Sequence, residues 1–134
     1  MGDVYRSIPG KEDERVGHVD QEGNVFRHQP HARDKRLGHV TPDGEVFRHR
    51  ALRSDQQAGH VDQEGNIYRV VRMGRDRRAG SVDRNGEVYV DVPDDEDRRV
   101  GKITGESLLR NGAAALLLLL SDENSDNARN GASD

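Results

Sequence analysis

Three histidines recur at one interval: His18, His39 and His60 are spaced 21 residues apart, and His28 and His49 repeat a second position at the same step. Imidazoles gathered by such a symmetry could hold a transition metal or ionise together near pH 6. Ser81 and Lys102 stand at the first of these positions in two further repeats, which interrupts the ring, and no cysteine ligand is present. Structural zinc sites draw on thiolate and carboxylate ligands at fixed spacing as well as imidazole. The preferred expectation is therefore histidines packing beside Phe26 and Phe47, with no metal assigned. The alternative is a histidine-dependent metal-binding protein or metal-assisted hydrolase using His18, His39 and His60.

Arginine repeats too. Arg6, Arg27, Arg48 and Arg69 keep the 21-residue step, as do Arg15, Arg36, Arg78 and Arg99 at a second position. Arranged radially, the first set would form a rim able to grip phosphate or an anionic lipid head group. Asp13, Asp34, Asp55, Asp76 and Asp97 follow the same period, so local neutralisation of the second set is the plainer account of those pairs. No G-x-S-x-G, P-loop or H-E-x-x-H arrangement occurs. The sequence thus offers no catalytic residue and no cofactor site, and the chain is expected not to be an enzyme.

Positioning these side chains falls to a repeat that runs through most of the 134 residues. Gly17, Gly38, Gly59, Gly80 and Gly101 share the step, as do Gly23, Gly44, Gly65 and Gly86. So do Val19, Val40, Val61, Val82 and Ile103, and then Val25, Val46, Ile67 and Val88. Such a period marks stacked or radial supersecondary units. In "DQEG", "TPDG", "DQEG" and "DRNG" the closing glycine falls where a type I turn with a G1 bulge needs positive φ. Each unit reads as a hairpin with Val19 opposite Val25, His18 opposite Phe26 and Gly17 opposite Arg27. One face carries two aliphatics, a glycine and an arginine; the other carries an aromatic, a histidine and a variable apolar residue. The pattern leaves open which face points inward.

The fifth unit is divided between the ends. "RVGKI" at 99–103 matches a first strand and "GDVYR" at 2–6 a second, so pairing Ile103 with Val4 closes a ring of five hairpins. Closure removes sheet edges. A ring of ten strands needs filling, and residues 105–120 supply an apolar helix, with Thr104 as its cap and Leu116, Leu117, Leu118, Leu119 and Leu120 as its plug. Gly112 either breaks this helix or lets it pass close to backbone. The expected fold is all-β with one central helix: a closed shallow barrel of five 21-residue hairpin repeats over residues 1–120. Its repeat core is Val4 with the aliphatic pairs above, from Val19 and Val25 through to Ile103. A disordered acidic tail is expected at 121–134.

These motifs, "GHVDQEGNVF", "GHVTPDGEVF", "GHVDQEGNIY", "GSVDRNGEVY", the split "GKI" with "GDVY", and "GAAALLLLL", resemble the β-flower families, which look like relatives of the Tubby C-terminal and scramblase-like fold. The resemblance covers residues 2 to about 120. It implies a non-enzymatic binding or membrane-associated scaffold and carries over no defined ligand residue.

Composition sets the remaining bounds. The 25 acids nearly cancel the 21 bases, leaving a net charge of −4 and no nucleic-acid footprint. The apolar run at 113–120 is far too short to span a bilayer, so no transmembrane span is expected. The first twenty residues hold no apolar stretch, and no secretory signal is expected. The resulting picture is a monomeric, cytoplasmic binding or scaffold module, peripheral to a membrane, its lipid or protein partner unspecified.

Overall fold

The computed structural model describes residues 2–71 and 74–120. Ten antiparallel strands alternate along the chain: β1 (Gly2–Arg6), β2 (Glu14–Val19), β3 (Asn24–Arg27), β4 (Lys35–Val40), β5 (Glu45–Arg48), β6 (Gln56–Val61), β7 (Asn66–Arg69), β8 (Arg77–Val82), β9 (Glu87–Val90) and β10 (Arg98–Ile103). They close into a barrel in which β1 joins β10, Val4 lying opposite Ile103 and Tyr5 opposite Lys102. The other four hairpins hold the register read from the sequence, including Val19 opposite Val25 and Gly17 opposite Arg27.

The tight turns do two jobs. Gly23, Gly44, Gly65 and Gly86 have φ of 90°, 88°, 93° and 86°, the left-handed region that a G1 bulge requires. Each also passes its carbonyl to the next unit, as where the Val40 amide donates to the Gly23 oxygen at 2.8 Å.

The face bearing Val, Gly and Arg points inward. Val4, Val19, Val25, Val40, Val46, Ile67, Val82, Val88 and Ile103 are buried, whereas Val61 is only half-buried, a departure from the expected core. Val61 borders a cavity of about 480 Å³, lined also by Pro42, Gly44, Leu109 and Arg110.

Between neighbouring hairpins the ladder slips by one residue in every case, leaving Val16, Leu37, Ala58, Ala79 and Val100 as bulges. A bulge bends its strand and adds twist. Five of them curve a short sheet into a ring and bring these variable apolar residues against the core. That is why neither face of a hairpin reads as plainly solvent-exposed.

The plug starts later than the sequence suggests. Helix α1 runs over Leu108–Ala114 with Ser107 at its N-cap, in the left-handed region and without a side-chain cap bond. Thr104 is employed elsewhere: its Oγ1 accepts from the Asp3 amide, and its own amide donates to the Asp3 carbonyl, fastening the two chain ends together. The helix passes Gly112 unbroken, and the close approach there is to a side chain rather than to backbone: a Cβ would sit 2.5 Å from Val82 Cγ2. From Ala115 to Leu120 it widens into a π-helix.

Symmetry accounts for the widening. An α-helix turns about 100° per residue, whereas five units divide the circle into steps of about 72°, so a wider coil lets consecutive residues address consecutive units. Leu116 packs against Gly80, Leu117 against Gly59, Leu119 against Gly17 and Leu120 against Gly101. The order leaves Gly38 for Leu118. All five leucines are buried. The tail expected at 121–134 lies outside the described residues.

Candidate functional site

The two arginine sets meet different fates. Arg6, Arg27, Arg48 and Arg69 end the second strand of four units and share the inward face, so they gather around the C-terminal end of the plug. Arg6 Nη2 donates to the Leu119 carbonyl at 2.9 Å and Arg48 Nη2 to the Leu117 carbonyl at 3.3 Å. Cations at the carbonyl end of a helix complement its dipole and its unsatisfied acceptors. In the fourth unit, the β8–β9 hairpin, the matching residue is Val90, which opens the ring on one side. Between Arg6 and Arg27 lies a cavity of about 250 Å³, bounded further by Glu14, Arg15, Val16, His28, Pro30 and Leu119. The Arg27 side chain has no hydrogen bond or ion pair among the described residues, and so leaves its guanidinium to this cavity.

Three of the outer set, Arg15, Arg78 and Arg99, are neutralised, but across unit boundaries rather than along their own loops. Arg78 grips Asp97 with both terminal nitrogens, at 3.1 and 2.9 Å, while its Nε donates to Asn66. Arg99 does the same to Asp13 at 3.3 and 2.7 Å, with Nε donating to Glu87. Arg15 pairs with Asp3, and Arg36 donates to Asn24. The Arg99 guanidinium holds the Asp13 carboxyl below the usual carboxylate range against a smaller opposing effect of burial, and Arg78 does so for Asp97. Both guanidiniums are pushed up in return. These pairs act as staples between neighbouring hairpins.

The histidines stay apart. His18, His39 and His60 stack on Phe26, Phe47 and Tyr68, with ring centroids 4.9, 4.9 and 5.2 Å apart. Each faces a separate carboxylate: His18 and His28 flank Asp34 at 3.3 and 3.4 Å, His39 and His49 flank Asp55 at 3.2 and 3.4 Å, and His60 lies 3.6 Å from Asp76. Ser81 and Arg78 serve Asp97 in the fourth unit, which explains how histidine can be replaced there. Among the described residues no group of three or more His, Cys, Asp or Glu is arranged to hold a metal ion.

Charge is divided along the barrel axis. The tight turns carry Asp20, Glu22, Asp43, Asp62, Glu64 and Asp83, and Asp20 and Asp62 accept backbone hydrogen bonds within their own turns. Burial pushes these two carboxyls up, but the bonds from Asn24 and Glu22, and from Asn66, Glu64 and Gly65, together hold them below the usual range. The opposite mouth carries the inward arginines and loops bearing Arg33, Arg50, Arg53 and Arg75. Two loops there break the pattern: residues 7–13 set Glu12 and Asp13 against Lys11, and residues 91–97, beside the position of Val90, hold Asp91, Asp94, Asp95, Glu96 and Asp97.

No protein-family model, curated protein or solved structure matches the chain. The site therefore rests on geometry alone. Net charge concealed the two-ended distribution, because opposite charges sum to little when they sit at opposite mouths. The signal was nonetheless present in the 21-residue phase, which sets acids at the turns and arginines at the strand ends. The helix carbonyls as partners of Arg6 and Arg48 had no sequence signal, since they depend on where the plug ends.

Proposed function

We propose that this chain is a non-enzymatic binding module whose basic mouth recognises phosphate-bearing anionic groups and directs it to lipid surfaces. The observation carrying the reading is the gathering of Arg6, Arg27, Arg48 and Arg69 about one opening, with Arg27, Arg15 and His28 lining a cavity of about 250 Å³. Guanidinium forks suit phosphate oxygens in both charge and geometry. The helix end contributes carbonyls, which repel anions, so the arginines serve first to cover those acceptors and then to present the remaining donors outward. A monomeric module, peripheral to the cytoplasmic leaflet and akin to the β-flower and Tubby-like barrels, belongs to the same proposal. Its support is the closed ten-stranded barrel with a buried helix and the absence, among the described residues, of any helix long and apolar enough to cross a membrane.

Thermal unfolding of the full chain in rising inorganic phosphate or inositol phosphate tests the reading. A ligand that binds only the folded state raises the melting temperature with concentration. The expected result is a saturable rise with the anions that Arg27→Gln reduces, while matched chloride produces none. An equal rise in Arg27→Gln, or no rise with either anion, would overturn it.

A further inference from the structure

Loop 49–55 at the basic mouth contains a residue in an unusual state. Leu52 is 105% exposed, the one large apolar side chain of the described residues to be so, and its φ is +61°. A bulky side chain in the left-handed region is strained; such residues persist only where the surrounding structure imposes the conformation, and they cluster at ligand-contacting and switch regions. The same loop position is Gly10, His31 and Asp94 in other units, each also at positive φ. The bend thus belongs to the loop, and leucine is the least suited of these residues to make it. Arg50 and Arg53 flank Leu52, and Arg50 Nε donates to the Ser54 carbonyl, which stiffens the tip. The neighbouring loop 28–34 adds His31 and Arg33, with Asp34 held between His18 and His28, whereas the charged residues of loop 91–97 are all acids.

We infer that loop 49–55 is the point at which this chain docks on an anionic bilayer, Leu52 entering the head-group layer between Arg50 and Arg53. The inference rests on the reading of the basic mouth given above and adds to it a point of entry and a tilt. Charge complementarity selects the occupant: basic groups close to an anionic leaflet are attracted to it, and an apolar side chain among them gains by leaving water. Loop 91–97 carries the opposite sign, so the barrel meets the surface inclined, with that loop held away.

The chain contains no tryptophan, so Leu52→Trp introduces a single indole reporter. Full-length protein is mixed with vesicles of phosphatidylcholine alone or with about a third phosphatidylserine, at low and physiological salt. Expected are sedimentation with the anionic vesicles only, weakened by salt, and a blue shift of the indole emission on binding. Leu52→Asn tolerates the left-handed backbone and should keep the melting temperature while losing binding about five-fold or more. If the wild-type chain sediments with anionic vesicles but the indole does not shift and Leu52→Asn binds equally, the docking loop is overturned and the anion-binding mouth survives. Melting-temperature rises with soluble phosphates but no sedimentation would likewise overturn docking alone. Failure of both measurements would remove the inference together with the reading beneath it.

Discussion

Leu117 occupies the space that a side chain on Gly59 would need: a Cβ built there would stand 2.6 Å from Leu117 Cδ1 and would overlap the Tyr68 carbonyl oxygen. Gly59→Ala must therefore displace both the plug and the partner strand. Overpacking of this kind costs about 1–3 kcal/mol or more, and urea denaturation should show a loss in that range. Shortening the plug in the double variant with Leu117→Ala should not restore stability, because the Tyr68 contact remains. Full rescue would mean that the strand yields and that only the plug is crowded.

The four turn glycines should differ in their response to asparagine. At Gly23, Gly65 and Gly86 a Cβ would overlap the carbonyl oxygen of Val40, Val82 and Ile103 respectively, so alanine and asparagine should be equally harmful there. At Gly44 the nearest atom is Val61 Cγ1 at 2.9 Å, on a side chain that is half-buried and can move. Gly44→Asn should consequently be the mildest of the eight variants, and milder than Gly44→Ala, because asparagine tolerates positive φ. Melting temperatures of the set provide the comparison.

Removing residues 1–7 deletes β1, which is hydrogen-bonded to β2 on one side and β10 on the other. The truncated chain loses several bonds worth about 1 kcal/mol each, together with the burial of Val4. It also exposes two strand edges, which favours aggregation. Light scattering and thermal unfolding should both report the change; an unaltered melting temperature would argue against closure through β1.

Acid should destabilise the barrel through its staples. The folded pKa values of Asp13 and Asp97 lie below those of the unfolded chain, so their contribution is present in full above the unfolded carboxylate pKa and is lost as pH falls through the folded values. Asp20 and Asp62 act in the same direction. Urea midpoints measured downward from neutrality should hold until the usual carboxylate range and then decline. Asp97→Asn should be less stable at neutral pH and show a shallower acid decline than the wild type.

The hairpins, their register and the joining of Val4 to Ile103 were legible because each depends on a turn glycine or an aliphatic pair repeated in phase. The start of the helix was not. Thr104 has the side chain of a cap, but the Asp3 backbone competes for it, and that competitor appears only once the ends of the chain meet. Val61 fits the core pattern yet remains half-buried, because it borders a cavity lined by Leu109 and Arg110 of α1, residues far from it in sequence. The arginine mouth was legible as a phase, whereas the separation of Arg27 from Arg6 and Arg48 in their bonding depends on the π-helical turn. No local propensity announces that turn, since "ALLLLL" would ordinarily continue as α-helix.

The leucine run is as long as the ring is wide. With one leucine for each unit, a slip of the plug by a single residue, combined with a turn to the adjacent unit, would leave four leucines correctly seated and put Ala115 in the fifth place. The resulting void, at about 2–5 kcal/mol for a leucine replaced by alanine in a core, is what fixes the seating. The chain accordingly records its unit number twice, once in the 21-residue period and once in the count of leucines. A duplication that added one more hairpin would leave a glycine facing an empty place until a sixth leucine arrived, so barrel and plug can change size only together.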